Sequence, residues 1–339
     1  MPIRLFINLV FLITAQTACL QAADGEAAPE TPAALAPVRQ VTNTAGLAAV
    51  HAFAQSKGLS TSTYGNGAFR ILAVGGTPPE PEQLVKDGEL VLGGLEIWTG
   101  KQNLFVPEEL SEEKVFWYVL LKDDQTFDAF LSHARKIGVV PKPEGEDISK
   151  SSNNTWSDRM AITEITKVSR GGIHRNITVY LATGLALRTF ISERAPENDK
   201  ELPKWLLAGM QSELEKRICD SNRCYSISYE KSSVNLAGQD WGKAVAALIK
   251  KKSDKLLKAS SVMQIDLISS PAEHYLQLWS LAAFVREQAG PGRKGKPGFA
   301  DLLDRIAREG DSEKAVFDQL KTDDRTLTMA WFRWASNPR

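Results

Sequence analysis

His174 opens a predicted amphipathic helix in the stretch GGIHRNITVYLATGLALRTF, residues 171–190. A catalytic zinc ion on such a helix needs a second imidazole one turn further on, a glutamate as general base and a third protein ligand. The other histidines are His51, His133 and His274, and no two of the four lie one helical turn apart. A lone imidazole does not hold zinc against water. The sequence therefore predicts no metal or other cofactor, and we expect His174 to be structural, with a remnant of a metal site as the alternative.

Two cysteines lie close together in CDSNRC, at Cys219 and Cys224. Two thiolates do not complete a tetrahedral zinc site, and no histidine is near them in sequence. In an exported chain such a pair is typical of a small disulfide loop. We therefore predict a Cys219–Cys224 disulfide.

The sequence also lacks the motifs of other common catalytic and binding sites. There is no Gly-x-Ser-x-Gly, and the glycine-rich stretches lack the spacing of a phosphate-binding loop. Glu213 and Glu215 lie two residues apart on a predicted helix, so we expect them to point in different directions into solvent. Glu164 alternates with apolar residues on a predicted strand, which predicts an exposed face. We expect no catalytic residue.

Composition excludes two classes of partner. The 339 residues hold 41 basic and 41 acidic side chains, so the chain lacks the net charge typical of a nucleic-acid or anionic-membrane binder. The only run of one sign, Lys250 to Lys252, is typical of a solvated helix end.

The first residues have the pattern of an export signal. Arg4 precedes a short apolar run, Leu5 to Ala15, and small residues follow, which predicts a signal peptide over 1–23 rather than a membrane span. Residues 24–40 are rich in Ala and Pro and predict a linker. Cys19 leaves a lipid anchor as an alternative. We expect an exported protein, periplasmic or extracellular, with no membrane-spanning helix.

The rest of the chain divides by pattern into an N-terminal α/β part (41–170) and a helical part (171–337). The run KVFWYVLL (114–121) predicts a buried strand, and DDQTFDAFLSHARKIG predicts a helix with acidic residues first and basic residues last. This order predicts an α+β fold with either one core or two packed lobes. Helices are predicted at 173–193, 203–218, 238–251, 271–289, 299–309, 311–320 and 323–335. Six tryptophans fall in apolar periodic segments and predict core packing: Trp98, Trp117, Trp205, Trp279, Trp331 and Trp334.

The order of these elements resembles the peptidase-MA-like branch of the gluzincin (HExxH zinc) metallopeptidases. LPKWLLAGMQSELE is similar to that family's Leu-Pro-x-Trp-Leu-x-Glu-Gly helix, which supplies the third zinc ligand. AEHYLQLWSLAAFVREQAG resembles its long helix after the active site, and the likeness covers about residues 65 to 335. The resemblance implies a gluzincin-like fold.

Position by position, the resemblance implies a degenerate site. His174 matches the first histidine of HExxH, whereas Arg175 stands for the glutamate base, Thr178 for the second histidine and Ala208 for the third ligand. An alanine offers no donor atom, and an arginine brings a permanent positive charge to a cation site. We therefore expect a non-catalytic, metallopeptidase-like pseudoenzyme that binds a peptide or envelope protein, or has a structural role in the cell envelope. The alternatives are an active zinc peptidase with displaced ligands and an unrelated envelope hydrolase.

Overall fold

The computed structural model describes residues 42–138, 154–157, 159–169, 174–194, 202–223, 239–265, 271–292 and 297–337. The predicted signal peptide and linker lie outside these residues, as do Cys19 and Cys224. All of these described residues belong to one compact unit.

The described strands form one mixed sheet. They are β1 Thr61–Tyr64, β2 Phe69–Val74, β3 Phe116–Leu121, β4 Asn154–Ser157 and β5 Met160–Glu164. Their order across the sheet is β1-β2-β3-β5-β4. The three inner strands are parallel, and β1 and β4 pair antiparallel at the two edges. All of β3 is buried, which confirms the strand predicted from its continuous apolar run and is expected of a strand covered on both faces.

The described helices lie mainly in the second half of the chain, as predicted. They are α1 Asn43–Lys57, α2 Pro81–Thr99, α3 Asp124–Lys136, α4 Ile165–Ser169, α5 His174–Arg194, α6 Lys204–Cys219, α7 Trp241–Lys250, α8 Ala259–Met263, α9 Ala272–Ala289, α10 Phe299–Glu309, α11 Ser312–Leu320 and α12 Asp324–Ala335.

Two hydrophobic clusters cover the two faces of the sheet. The smaller joins one face of β3, through Trp117 and Val119, to α1 and α3. The larger joins the other face, through Phe116 and Tyr118, to α2 and to every helix from α5 to α12. The N-terminal part and the helical part therefore share one core, which decides between the two α+β arrangements that the pattern left open.

Helix α3 shows how local sequence fixes an element. The Asp123 carboxylate accepts a hydrogen bond from the Thr126 backbone N–H at 2.8 Å, and basic residues occupy the last turn. Gly138 follows with a positive φ of 74°, a conformation that favours glycine. The predicted capping pattern is confirmed.

The tryptophan prediction is confirmed for all six residues. Four are buried, and Trp279 and Trp334 are partly buried against the larger cluster. Short elements were missed. The exposed strand β1 (TSTY) has no apolar alternation to reveal it, and α8 is five residues long.

The expectation that Glu164 is exposed is wrong, since only 1% of this residue is accessible. Its strand, β5, lies between β3 and β4 rather than at an edge. Every residue of β5 is buried, so the apolar alternation around Glu164 does not mark a solvent-facing side.

Candidate functional site

Helices α2, α5 and α6 meet around the residues that sequence analysis singled out. His174 is the first residue of α5, and its Nε2 lies 3.2 Å from Oε2 of Glu80, the residue before α2. The His174 side chain is largely covered, whereas that of Glu80 is mostly exposed. The described contact of the His174 imidazole is thus a surface carboxylate.

Arg175 points into the protein and pairs with Asp87 of α2. Its Nε donates to Asp87 Oδ2 at 2.7 Å and its Nη2 to Asp87 Oδ1 at 2.8 Å, while Gln83 Nε2 donates to the same Oδ1 at 2.8 Å. Asp87 is fully buried. The hydrogen bonds to Asp87 raise the pKa of Arg175, as expected of a bidentate, charge-assisted pair. The position where the family resemblance places a general base thus holds a cation neutralised by a carboxylate.

Asp87 was missed at the sequence level. It falls on the buried face of α2, one turn from Leu84 and Val91, and an acidic residue at apolar helical spacing is the signal that could have revealed it. Its neighbour Gly88 explains the local packing, because a Cβ there would overlap the ring of Phe69. Glycine lets α2 lie close on the sheet.

Glu215 is also buried, contrary to expectation. It is completely inaccessible, and its Oε1 accepts hydrogen bonds from Asn176 Nδ2 at 2.7 Å and from the Arg223 backbone N–H. Asn176 also donates to Ser221 Oγ at 3.0 Å. Glu215 therefore ties the start of α5 to the end of α6.

Glu213, the second glutamate expected to be solvated, is buried on the side of α6 that faces α9. Its carboxylate accepts from Arg217 Nε at 2.7 Å and from Trp279 Nε1 at 2.9 Å, and Arg286 Nη2 lies 3.5 Å away. Desolvation by burial lowers the pKa of Arg286. The spacing argument was correct that the two glutamates point apart, but both directions lead into packed helices, so the expectation of solvent exposure is wrong.

Thr178 and Ala208, the remaining positions of the implied site, offer little to a metal. The Thr178 hydroxyl donates to the His174 carbonyl at 2.9 Å, which engages it within its own helix. Ala208 is buried.

The register of α5 on α6 places Ala208 far from His174. The helices run antiparallel, because Asn176 contacts Glu215 while Gln211 donates to the Tyr180 carbonyl at 2.9 Å. At 1.5 Å per residue, Ala208 lies about one and a half turns beyond the level of Thr178, roughly 8 Å along the axis. The contacts therefore bring Asp87, Arg175, Asn176 and Glu215 together, but not His174, Thr178 and Ala208, which the position-by-position resemblance requires to lie in one cleft.

Cys219 lies near this group and is not activated as a nucleophile. Burial is the main cause that raises the pKa of its thiol to about 12, and the charge of Asp87 adds to it. A thiol in this state is protonated at neutral pH and reacts slowly. The predicted partner, Cys224, lies outside the described residues, so the disulfide stays a prediction.

We use the name polar cluster for two groups of polar residues: Asp87, Arg175, Asn176 and Glu215 where α2, α5 and α6 meet, and Glu213 on the side of α6 that faces α9. Each carboxylate in it accepts at least two hydrogen bonds from protein donors. In the part of the chain that the structure describes, no three His, Cys, Asp or Glu residues are grouped to hold a metal ion. The cluster is arranged to join helices.

Comparison of the chain with models of protein families, with curated proteins and with solved structures finds no match. Among the described helices none has the length and apolar character that a membrane span requires.

Proposed function

We propose that this chain is an exported, non-catalytic protein that binds a peptide or protein, or has a structural role, in the cell envelope. We further propose that its scaffold is that of a gluzincin metallopeptidase which has lost its zinc site. Export rests on the N-terminal pattern of Arg4 and the following apolar run, and the scaffold on the order of elements.

The element order supports the scaffold. Strand β5 precedes α5, the Leu-Pro-x-Trp-Leu stretch begins α6, and the long helix α9 packs on α6 before α10 to α12 close the chain. Trp205 and Leu206 of that stretch are fully buried, so the residues that carry the resemblance serve the core.

The polar cluster is the observation that carries the non-catalytic proposal. A zinc peptidase keeps carboxylate and imidazole groups free to face a metal and its water. Here Arg175, where the family places its base, forms a bidentate pair with a buried aspartate. A cation near Asp87 would have to displace that guanidinium and leave it without its partner, which is costly for a charge pair that is partly desolvated.

The conclusion does not depend on how α5 and α6 are aligned with the family. Whichever residues of α5 lie level with Ala208, the helix offers one histidine, at its first position, and one carboxylate, Glu193, near its end. Around Thr183 and Gly184, closer to the level of Ala208, there is only a hydroxyl, and it donates to the Val179 carbonyl at 2.8 Å.

Metal analysis of the purified mature protein tests the proposal. We expect zinc at less than about one-tenth of the chain concentration after dialysis against trace zinc, because a single imidazole binds weakly. Stoichiometric zinc that is lost in His174→Ala but kept in the surface control His51→Ala would establish the displaced-ligand peptidase instead.

A second assay separates the remaining alternative. Incubation with a mixed peptide library and with broad ester substrates should give no turnover above a heat-denatured sample. Turnover that a chelator does not inhibit would favour an unrelated hydrolase. Export is tested by N-terminal mass spectrometry of the secreted chain, which should begin after Ala22 or Ala23.

A further inference from the structure

An open groove lies between the end of α7 and the C-terminal helix α12. It has a volume of about 500 Å³. Its apolar lining comes from Ile249 and Leu256 on one side and from Met329 and Phe332 on the other. Met329 is 58% exposed. A methionine side chain adapts easily to an apolar partner, so Met329 and the neighbouring Phe332 present an apolar surface that a partner could cover. None of the residues of the polar cluster lines this groove.

The rim of the groove is strongly basic. Lys252 and Arg333 line it, and Lys250 and Lys251 come directly before Lys252. The segment 249–256 holds four lysines and one aspartate, and the segment 325–336 holds two arginines and no carboxylate. Within the described ranges, no ion pair involves Lys250, Lys251, Lys252 or Arg333. The lysine run that the sequence predicts to be a solvated helix end therefore reaches an apolar groove at Lys252, and none of its three lysines has a described ion pair.

Lys252 is held in a conformation that favours glycine. Its φ is 47°, its N–H donates to the Ile249 carbonyl at 3.0 Å and the next N–H, of Ser253, donates to the Leu248 carbonyl at 3.1 Å. This is the hydrogen-bond pattern in which glycine usually ends a helix. A lysine here keeps a positive charge at the rim although its backbone conformation favours glycine.

We propose that this groove binds an acidic amphipathic helix of a partner protein. The lined part of α12, from Met329 to Ser336, spans two helical turns, so a bound helix would insert apolar side chains at positions i, i+4 and i+7 and place Asp or Glu beside Lys252 and Arg333. A helix suits the site better than an extended peptide, since the groove lies between α12 and the segment that follows α7 and its lining includes no strand edge. A flat anionic membrane does not fill a concave floor.

A labelled synthetic peptide tests the proposal on the full mature chain. The probe is an amphipathic helix of about twelve residues with three leucines on one face and glutamates on the other. We expect fluorescence anisotropy to show saturable binding that weakens several-fold between about 0.05 and 0.5 M salt. A control peptide with lysine in place of every glutamate should not bind.

Three variants locate the site. Met329→Glu should weaken binding at least about tenfold, because it puts a carboxylate on the apolar floor. Lys252→Gly should weaken it about threefold by loss of one rim charge while the thermal midpoint stays the same or rises. Ile97→Glu, at the most exposed large apolar residue of α2, should leave the affinity unchanged, and circular dichroism should show all three folded.

The peptide-binding results test the groove alone and do not depend on whether the protein binds zinc. Equal binding of the acidic and basic peptides, or acidic-peptide binding that Met329→Glu does not weaken, would overturn the proposal. Failure to bind the peptide together with co-sedimentation on phosphatidylglycerol vesicles would overturn it in favour of a lipid surface. The proposal concerns α7 and α12 alone and stands or falls separately from the gluzincin scaffold.

Discussion

The polar cluster and the groove between α7 and α12 use charge in opposite ways. In the polar cluster Asp87, Glu213 and Glu215 are buried and each is held by donors from the same chain. At the groove, Lys252 and Arg333 flank an apolar floor, and neither has an ion pair within the described residues. Charge satisfied inside a protein fixes its helices, whereas charge left uncompensated beside an apolar surface is available to another molecule.

The largest expected effect tests whether the polar cluster is structural. Arg175→Met leaves Asp87 buried with Gln83 as its remaining described donor, and we expect the free energy of unfolding to fall by about 3 kcal/mol. Urea denaturation measures it. The double variant Arg175→Met/Asp87→Leu should recover most of that loss, because no unpaired charge remains.

The control for that change is Lys86→Met, at an exposed position of the same helix as Asp87, which should alter stability by less than about 0.5 kcal/mol. If Arg175→Met and Lys86→Met were equally mild, the Asp87–Arg175 pair would not be part of a tight internal cluster.

A pair of glycines in α2 compares the packed and the open side of one helix. Gly88→Ala would place a Cβ inside the ring of Phe69, and we expect a loss of about 2 kcal/mol from overpacking. A Cβ at Gly93 would meet nothing within 4 Å, so Gly93→Ala should stabilise the protein by up to about 1 kcal/mol through helix propensity. Thermal unfolding of both variants should move in opposite directions, and equal shifts would contradict the packing of α2.

The half-buried carboxylate of Asp123 gives a smaller, pH-dependent effect. Hydrogen bonds from the Thr126 side chain and backbone hold the pKa of Asp123 below its usual value. A lowered folded-state pKa contributes stability above the unfolded value, near 3.9, and the contribution is lost as the pH falls through the folded value. Asp123→Ala should therefore cost about 1 kcal/mol at neutral pH, and its difference from the native chain should shrink below about pH 3.5.

Asp128→Ala, on the exposed side of the same helix α3, is the matched change that removes a carboxylate without removing a cap. It should cost less than about 0.5 kcal/mol, and a pH-independent loss in Asp123→Ala would argue against the capping role.

The smallest effect concerns the rim of the groove. Because Lys252 has a positive φ, Lys252→Gly should raise stability by about 0.5 kcal/mol. Lys251→Gly is the matched control, since Lys251 has a right-handed helical φ of −76° and glycine there should lower stability by a similar amount. If the denaturation midpoints of Lys252→Gly and Lys251→Gly shifted in the same direction, the backbone conformation of Lys252 would not be one that disfavours lysine.

Helix positions were predictable from local pattern. The apolar run of β3, the cap at Asp123 and the helices after residue 173 follow from periodicity and end signals that act over a few residues. The short exposed strand β1 was not predictable, because it forms by pairing with β2 and buries little of its own surface.

The partners of the charged residues were not predictable in the same way. Asp87 and Arg175 are 88 residues apart, and Glu213 meets Trp279 66 residues further on. No local rule relates such positions, so Glu213 and Glu215 were expected in solvent although both are buried.

By itself, the sequence determined where the long helices and the buried strand β3 lie and that α5 lacks the residues for an HExxH zinc site, because propensity, capping and ligand identity are properties of neighbouring residues. The tertiary structure decided which contacts the buried charged residues make. The packing of α2, α5, α6 and α9 turns Asp87, Glu213 and Glu215 into internal links, since burying a carboxylate requires donors that only distant segments supply. It also decided that Lys252, the last lysine of that run, borders an apolar groove, because that depends on where α12 packs.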